Sequence, residues 1–527
     1  MHFIWLNAFL GHARRNGVRL RKPRRQPLEP ALLYEVEAAG WGRVAATARR
    51  FGMRWADTWA VETEEGFLIQ SLLEYRGDYL LLRTGQPLQG AVLESQAPAF
   101  PAALRVERAM RDLFGIDFSG EVDRRRWIRH QAWTAQCHPL RKEFPAHGSG
   151  ESPVPPDLDY PFLQARGTGV VEIPVGPVHA GIIEPGHFRF QAVGEQILNL
   201  EERLGYLHRG VEKLAEGRDA ISLARLAGRV SGDTTVAHAW AACQAMERAA
   251  GVQVPDRALF LRALLAERER IANHLGDIGA VCNDVGFAFA MSQFGRLREL
   301  WLRMNGRLFG HRLLMDRVVP GGVTIAPDQD AIDDLRQEAH WLRGELETLV
   351  RIVENTPSLQ DRLIGTGILD RETALELGTL GYVARASGVR HDLRAESPCA
   401  PYDRLRVTVP VHETGDVADR LRVRADEINA SLDLILQILN QLPEGPERAG
   451  WTPPPAGAEG LGLLEGWRGE VVAYVRFGGE GKVDRYHPRD PSVLNWPALE
   501  RLVRGNIVPD FPVCNKSVNG SYAGHDL

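Results

Sequence analysis

Apolar positions follow two regimes along this chain. Between residues 30 and 135, "WAVETEEGFLIQSLLEY" and "DYLLLRTG" alternate in the manner of strands, separated by Gly- and charge-rich turns. In the same region "ALLYEVEAAGWGRVAATARRFG" carries helical spacing, and "RVERAMRDLFGIDFSGEVDRR" predicts a helix running into a compact loop. Further on, "GVVEIPVGPVHAGIIEPGHFRFQAV" reads as two β-like stretches around a loop that holds His179 and His187. In "PDRALFLRALLAERERIANHLGDIG" the residues Leu261, Leu264, Leu265, Ile271 and Leu275 share one helical face, with Pro255 and Asp256 as the start signal. Similar patterns at about 195–217, 220–250, 283–310 and 330–355 predict a helical bundle. "GEVVAYVRFGGEGKVDRYHP" predicts a hairpin that turns at Gly478 to Gly481. The expected class is α+β: an N-terminal α+β domain, then a mainly helical domain with small peripheral β-hairpins.

A length of 527 residues predicts two or three domains. The stretch "PAHGSGESPVPPDLDYP" has linker chemistry and sets the boundary. The expected division is a basic tail over 1–29, a domain over 30–144, a linker over 145–168 and a second domain over 169–527. Arg14 to Arg25 form a charge run read as a solvated, mobile tail, with docking on an acidic partner or a lipid surface as the other reading. Apolar residues make up 44% and charged residues 25%, the balance of an ordinary soluble protein, and a net charge of −5 gives no pull toward nucleic acid. No apolar run reaches the roughly 18 residues of a spanning helix, so a membrane role is expected to come through partners. The five cysteines are scattered without a CxxC pair, which supports neither a disulfide framework nor a zinc or iron–sulfur site and suits a reducing, cytoplasmic setting.

Six stretches, "PVGPVHAGIIEPGHFRF", "LGYLHRGVEKLAE", "LLAERERIANHLGDIG", "RASGVRHDLRA", "RGEVVAYVRFGGEGK" and "NWPALERLVRGNIVPDFP", resemble one superfamily in the expected order over about residues 170–513. It is that of the large subunits of nickel–iron hydrogenases and the 49-kDa-type subunit of respiratory complex I. The resemblance is greatest to the membrane-bound branch, the hydrogenase-4 and formate hydrogenlyase large subunits. "VERAMRDLFGIDFSG" resembles the signature of the 30-kDa complex I subunit, which that branch carries as an N-terminal domain.

In the hydrogenase branch two CxxC pairs hold nickel and iron, a metal pair suited to soft thiolates. The resemblance puts Ser231 and Thr234 at the first pair and Ser521 and Gly524 at the second. Hydroxyls do not ionise near neutral pH without a strong metal, and glycine offers no ligand, so a nickel–iron centre is expected to be absent, with no other metal bound. The complex I branch lacks the same cysteines and binds a quinone headgroup in the vacated space. The resemblance therefore implies a cavity facing a partner's iron–sulfur cluster, and the small polar residues around it predict a wet pocket.

His179 and His187 stand where complex I has headgroup-proximal histidines, and Glu184 resembles the proton-relaying glutamate of hydrogenases. Each is a candidate for proton transfer; the other reading is a turn-capping or surface histidine and a solvated loop carboxylate, and it is the resemblance that raises the first reading to equal standing for the histidines. Asp233 is read first as the cap of a helix starting near Thr234 and also as a pocket carboxylate needing Arg229 or His238 as charge partner, two roles that can coexist. Arg229 and His238 are expected beside the partner's cluster. "HRGVEKLAE" is expected to pair along its own helix, and Glu267, Arg270 and His274 to form a satisfied interhelical network. The expected function is that of a peripheral oxidoreductase subunit on the cytoplasmic face of a membrane. It would carry no cofactor of its own and pass electrons from a partner's iron–sulfur cluster to an acceptor such as quinone. The expected partners are a small iron–sulfur subunit, a ferredoxin-like subunit and antiporter-like membrane subunits. The rivals are a non-catalytic scaffold and catalysis on an unrelated small molecule.

Overall fold

The computed structural model describes residues 4–23, 28–130, 133–148, 160–181 and 183–527. Near the N-terminus a five-stranded sheet runs in the order Leu20–Arg21, Ala31–Val36, Asp78–Gln86, Gly66–Tyr75, Arg54–Thr63. Within this sheet only the pairing of Ala31–Val36 with Asp78–Gln86 is parallel. One face of the sheet packs on helices Trp41–Phe51 and Ala103–Phe114 through Trp41, Val44, Trp55, Phe67 and Phe114. The other face packs Ala56, Trp59 and Leu72 against Leu461, Leu463, Val472 and Tyr474 from far along the chain. The N-terminal sheet and the C-terminal region thus share a core.

Two expectations change here. The segment 31–36, read as helical, is a strand with alternating burial, and the helix begins only at Trp41 after Gly40. The expected tail over 1–29 holds helix Ile4–Arg15, whose Leu6, Phe9 and Ala13 are buried at three- and four-residue spacing. Its Trp5 Nε1 donates to Asp78 at 2.7 Å, so the helix is docked on the sheet while Arg14 and Arg15 stay exposed. Of the expected linker, residues 149–159 lie outside the described residues.

The region expected to be helical over 195–217 is a strand, Gln196–Arg203, followed by a five-residue helix, Val211–Ala215. The first of these joins Val170–Val175 and His187–Val193 in a three-stranded antiparallel sheet. The pattern over 220–250 splits into Ala220–Ala227 and Thr235–Ala250, and the break carries Ser231, Asp233 and Thr234. The remaining helices follow their periodicity: Asp256–Asp284, Ala288–Phe309 and Gln329–Glu354, with Val417–Gln441 packed beside the first and third. No helix among the described residues is long and apolar enough to cross a membrane.

The predicted hairpin is Gly469–Phe477 with Val483–Arg489, widened by strand Glu459–Gly466 into a three-stranded sheet. It is buried, sandwiched between the N-terminal sheet and helix Thr235–Ala250. A Cβ at Gly460 or Gly462 would lie 1.8 Å from Ala245 O or 1.9 Å from Ala241 O, so the helix rests directly on the strand backbone. That contact fixes the start of the helix against the 466–469 turn, which carries Trp467 and Arg468.

The interhelical network has the expected members and more. Glu267 meets Arg394 at 3.0 Å, Tyr402 at 2.7 Å and Ser431 at 2.6 Å, and His274 meets Glu427 at 2.7 Å. "HRGVEKLAE" departs from expectation because its helix is so short. Lys213–Glu216 pairs locally at 3.0 Å, but Glu212 reaches across to Arg485 at 2.6 Å and His487 at 2.8 Å.

Candidate functional site

Ser231, Thr234, Ser521 and Gly524 come from two segments nearly 300 residues apart, and the fold brings them together. Ser231 Oγ and Ser521 Oγ are 2.9 Å apart, and Ser231 Oγ donates to Asp233 Oδ1 at 2.6 Å. A hydroxyl has one proton, so Ser521 donates to Ser231 and in turn accepts from Gly524 N at 2.9 Å. Thr234 Oγ1 donates to Asp233 Oδ1 at 3.1 Å. Ser231, Thr234 and Ser521 are all buried. The expected wet pocket is therefore not among them: a cavity of about 10 Å³ beside Gly232, Asp233, Glu269 and Asn273 has room for one water.

The charge partner of Asp233 is Arg468, which sequence reasoning did not single out. Its two terminal nitrogens donate to the two carboxylate oxygens at 2.8 and 2.7 Å, and its Nε donates to Asn519 O at 2.7 Å. The guanidinium lies 3.9 Å over the Trp467 ring, whose Nε1 donates to Asp233 O and Thr234 Oγ1. Burial raises the Asp233 carboxyl, but the Arg468 charge and the Arg468 and Ser231 hydrogen bonds outweigh it and hold the group below its usual range. Neither expected partner reaches it. Arg229 forms a two-bond pair with Asp316 at 2.6 and 2.8 Å on the surface. His238 is fully buried and bonds Asp490 at 2.8 Å through Nε2, so it cannot touch a partner's surface.

Nor does Asp233 cap the helix. The amides of Val236 and Ala237 are taken by the Glu269 carboxylate from the neighbouring helix, at 2.6 and 3.2 Å. Burial pushes the Glu269 carboxyl up to about 8.

Asp490 decides what position 524 can hold. Its carboxylate accepts from His238 and from Ser492 N, and a Cβ at Gly524 would lie 2.6 Å from its Cγ. A cysteine there would have to displace the Asp490 carboxylate, and the other three positions offer neutral hydroxyls already engaged with one another. The residues present do not fit a nickel–iron centre.

The 176–187 loop lies over this junction. Glu184 Oε2 accepts from Ala523 N at 3.1 Å, and Gly186 comes so close to Tyr522 that a Cβ would be 2.5 Å from the ring. His179 packs its ring 6.4 Å from that of Tyr522. His187 Nδ1 donates to Gly176 O at 3.2 Å, leaving Nε2 as a lone pair with no partner among the described residues; His179 Nε2 is likewise unpartnered. Burial lowers both imidazoles, Lys516 adding to the effect at His179, and burial raises the Glu184 carboxyl. All three shifts favour the neutral forms.

Residues 284–459 match the family described as respiratory-chain NADH dehydrogenase, 49 Kd subunit, residues 34–150 the corresponding 30 Kd subunit, and residues 209–276 the nickel-dependent hydrogenases. The chain is 35% identical to formate hydrogenlyase subunit 5 of Escherichia coli (strain K12), over 82% of this chain and 76% of that protein. It is 30% identical to an NADH-quinone oxidoreductase subunit of Phocaeicola vulgatus, over 77% of this chain and 81% of that protein. Among solved structures it resembles a chain of the membrane-bound sulfane sulfur reductase, an archaeal respiratory membrane complex, with a TM-score of 0.64 and 28% identity over 68% of this chain and 99% of that one. The chain belongs to the superfamily of hydrogenase large subunits and complex I 49-kDa subunits, with a 30-kDa-type domain fused ahead of it.

Proposed function

We propose that this chain is a peripheral-arm subunit of a membrane-associated oxidoreductase, on the cytoplasmic face, that works without a nickel–iron centre of its own. Electrons arrive from an iron–sulfur cluster in a small partner subunit and leave to an acceptor such as quinone. A ferredoxin-like subunit and antiporter-like membrane subunits complete the assembly and couple the reaction to ion movement. What supports this reading is the 176–187 loop, which sets His179, Glu184 and His187 beside Ser521–Ala523.

In this reading the loop handles protons. His187 Nε2 offers a lone pair, His179 Nε2 is without a partner among the described residues, and the Glu184 carboxyl is tied to Ala523 N through one oxygen. The acceptor would meet the outer side of this loop, because the Ser231–Ser521 space is closed. That closure also favours a second reading, a scaffold that transmits conformational change without chemistry. Replacing His187 and Glu184 separately by Gln in the intact complex tests the choice. A general acid–base role predicts that acceptor reduction falls by roughly a hundredfold or more. Wild-type turnover in both variants, with assembly intact, leaves the scaffold.

A further inference from the structure

Helix Ile4–Arg15 and helix Trp41–Phe51 pack side by side and run antiparallel. Phe9 and His12 set their rings 5.6 Å from that of Phe51, and Asn16 Nδ2 donates to Thr47 Oγ1 at 3.1 Å. A Cβ on Gly17 would stand 3.7 Å from Arg43 Nη1. Arg43 and Arg50 share the helical face of Thr47, and Arg14, Arg15 and Arg19 flank Asn16 across the seam. All five are exposed, and none forms an ion pair among the described residues. By contrast, exposed Arg307 pairs with Asp334 and exposed Arg404 with Asp256, each at 2.8 Å. Residues 4–23 and 41–52 hold eight Arg and Lys and no Asp or Glu, in a chain whose net charge is −5. The basic surface has edges. Arg21 pairs with Glu37 at 3.1 Å, and Arg49 and Arg50 border a groove that also holds Glu94 and Glu376. Helix stability does not explain the cluster. Arg43 sits in the first turn of its helix, where the macrodipole disfavours a cation, and crowded like charges repel.

We propose that this seam is a docking surface for an acidic segment of a partner protein. Carboxylates are the matching chemistry, because a guanidinium can pair with one through two parallel bonds. Arg43 and Arg50 stand seven residues apart, about 10 Å along the helix axis, which roughly three or four residues of extended chain span. The fitting ligand is therefore a short run of Asp or Glu in extended chain. A lipid surface fits less well. A helix that lies on lipid buries an apolar face there, but Leu6, Phe9 and Ala13 are already buried inside the protein. No large apolar side chain among the described residues of 4–52 is exposed to replace them.

The test is fluorescence anisotropy of labelled hexaglutamate with the full chain, beside sedimentation with phosphatidylcholine vesicles carrying about 30% phosphatidylserine. Hexaglutamate should bind at roughly 20 mM salt and be released at roughly 300 mM, as exposed ion pairs are screened. Arg15→Gln, Arg43→Gln and Arg50→Gln together should weaken binding roughly tenfold or more. Arg351→Gln with Arg390→Gln, exposed in the second domain, should leave it unchanged, with circular dichroism confirming that both variants fold. The vesicles should not sediment the chain. Absence of hexaglutamate binding, or equal weakening in both variants, would overturn the proposal. So would vesicle binding that the triple variant abolishes, which assigns the surface to lipid, or self-association that it abolishes, which assigns the surface to a second copy.

Discussion

Asp233 and Arg468, 235 positions apart in the chain, close on each other through two bonds of 2.7 and 2.8 Å. Arg468 is almost fully buried, whereas about a third of the Asp233 side chain meets solvent. Asp233→Asn should therefore destabilise the protein by about 2 kcal/mol, less than for a wholly buried pair, chiefly by stranding the guanidinium. Asp233→Asn with Arg468→Met should recover part of the loss. Urea denaturation of the four proteins measures the coupling, and strictly additive effects would refute the pairing as a stability determinant.

Nickel content is the second expectation. Protein purified with its native maturation machinery should contain no stoichiometric nickel by elemental analysis. Placing cysteine at 231, 234, 521 and 524 should not create a nickel site, because a side chain at 524 meets Asp490 at 2.6 Å. Gly524→Ala alone should cost about 1–3 kcal/mol in thermal or urea unfolding, the usual penalty of overpacking.

His487 makes stability depend on pH. Burial alone lowers its imidazole, but Asp57 and Glu212 on either side overcome that and push it up to about 9. The folded state then holds its proton more tightly than the unfolded chain, whose histidine titrates near 6.5. Its contribution is fully present below about pH 6.5 and is lost as pH rises through about 9. His487→Gln should flatten the fall in unfolding free energy across that window, read from urea titrations at several pH values.

Gly462 should be nearly intolerant of change. A Cβ there meets Ala241 O at 1.9 Å, and a backbone carbonyl within a helix cannot step aside as a side chain tip can. Gly462→Ala should cost about 3 kcal/mol or more in unfolding free energy. A neutral result would mean that helix Thr235–Ala250 can lift off the sheet.

Much of the fold is legible where periodicity is long and local, as in helix Asp256–Asp284 and the 469–489 hairpin. The strand Gln196–Arg203 is not, and its geometry says why. Its register shifts between Ile197 and Asn199, so Ile197 and Leu200 are both buried at a spacing of three, which imitates a helix. The site is legible as a set of positions, since the resemblance brings Ser231, Thr234 and Ser521 onto one junction. Their chemistry is not. Arg468 opens the "RGEVVAYVRFGGEGK" stretch and Asp490 follows the hairpin, but only folding reveals that the first neutralises Asp233 and the second fills the space above Gly524. His238 and Arg229 are close to Asp233 in sequence, and in the fold that proximity does not become contact.

The bond between Ser231 and Ser521 closes a loop of 290 residues. Contacts of such long range form late, because the chain entropy of closure is spent before any reward arrives. During synthesis the helices around Ser231 emerge and pack long before Ser521 leaves the ribosome, so the junction stays open through most of the chain's appearance. The contact between Glu184 and Ala523 therefore forms only after the segment between them has folded, and the order of the 176–187 loop reports on that of the 521–523 segment.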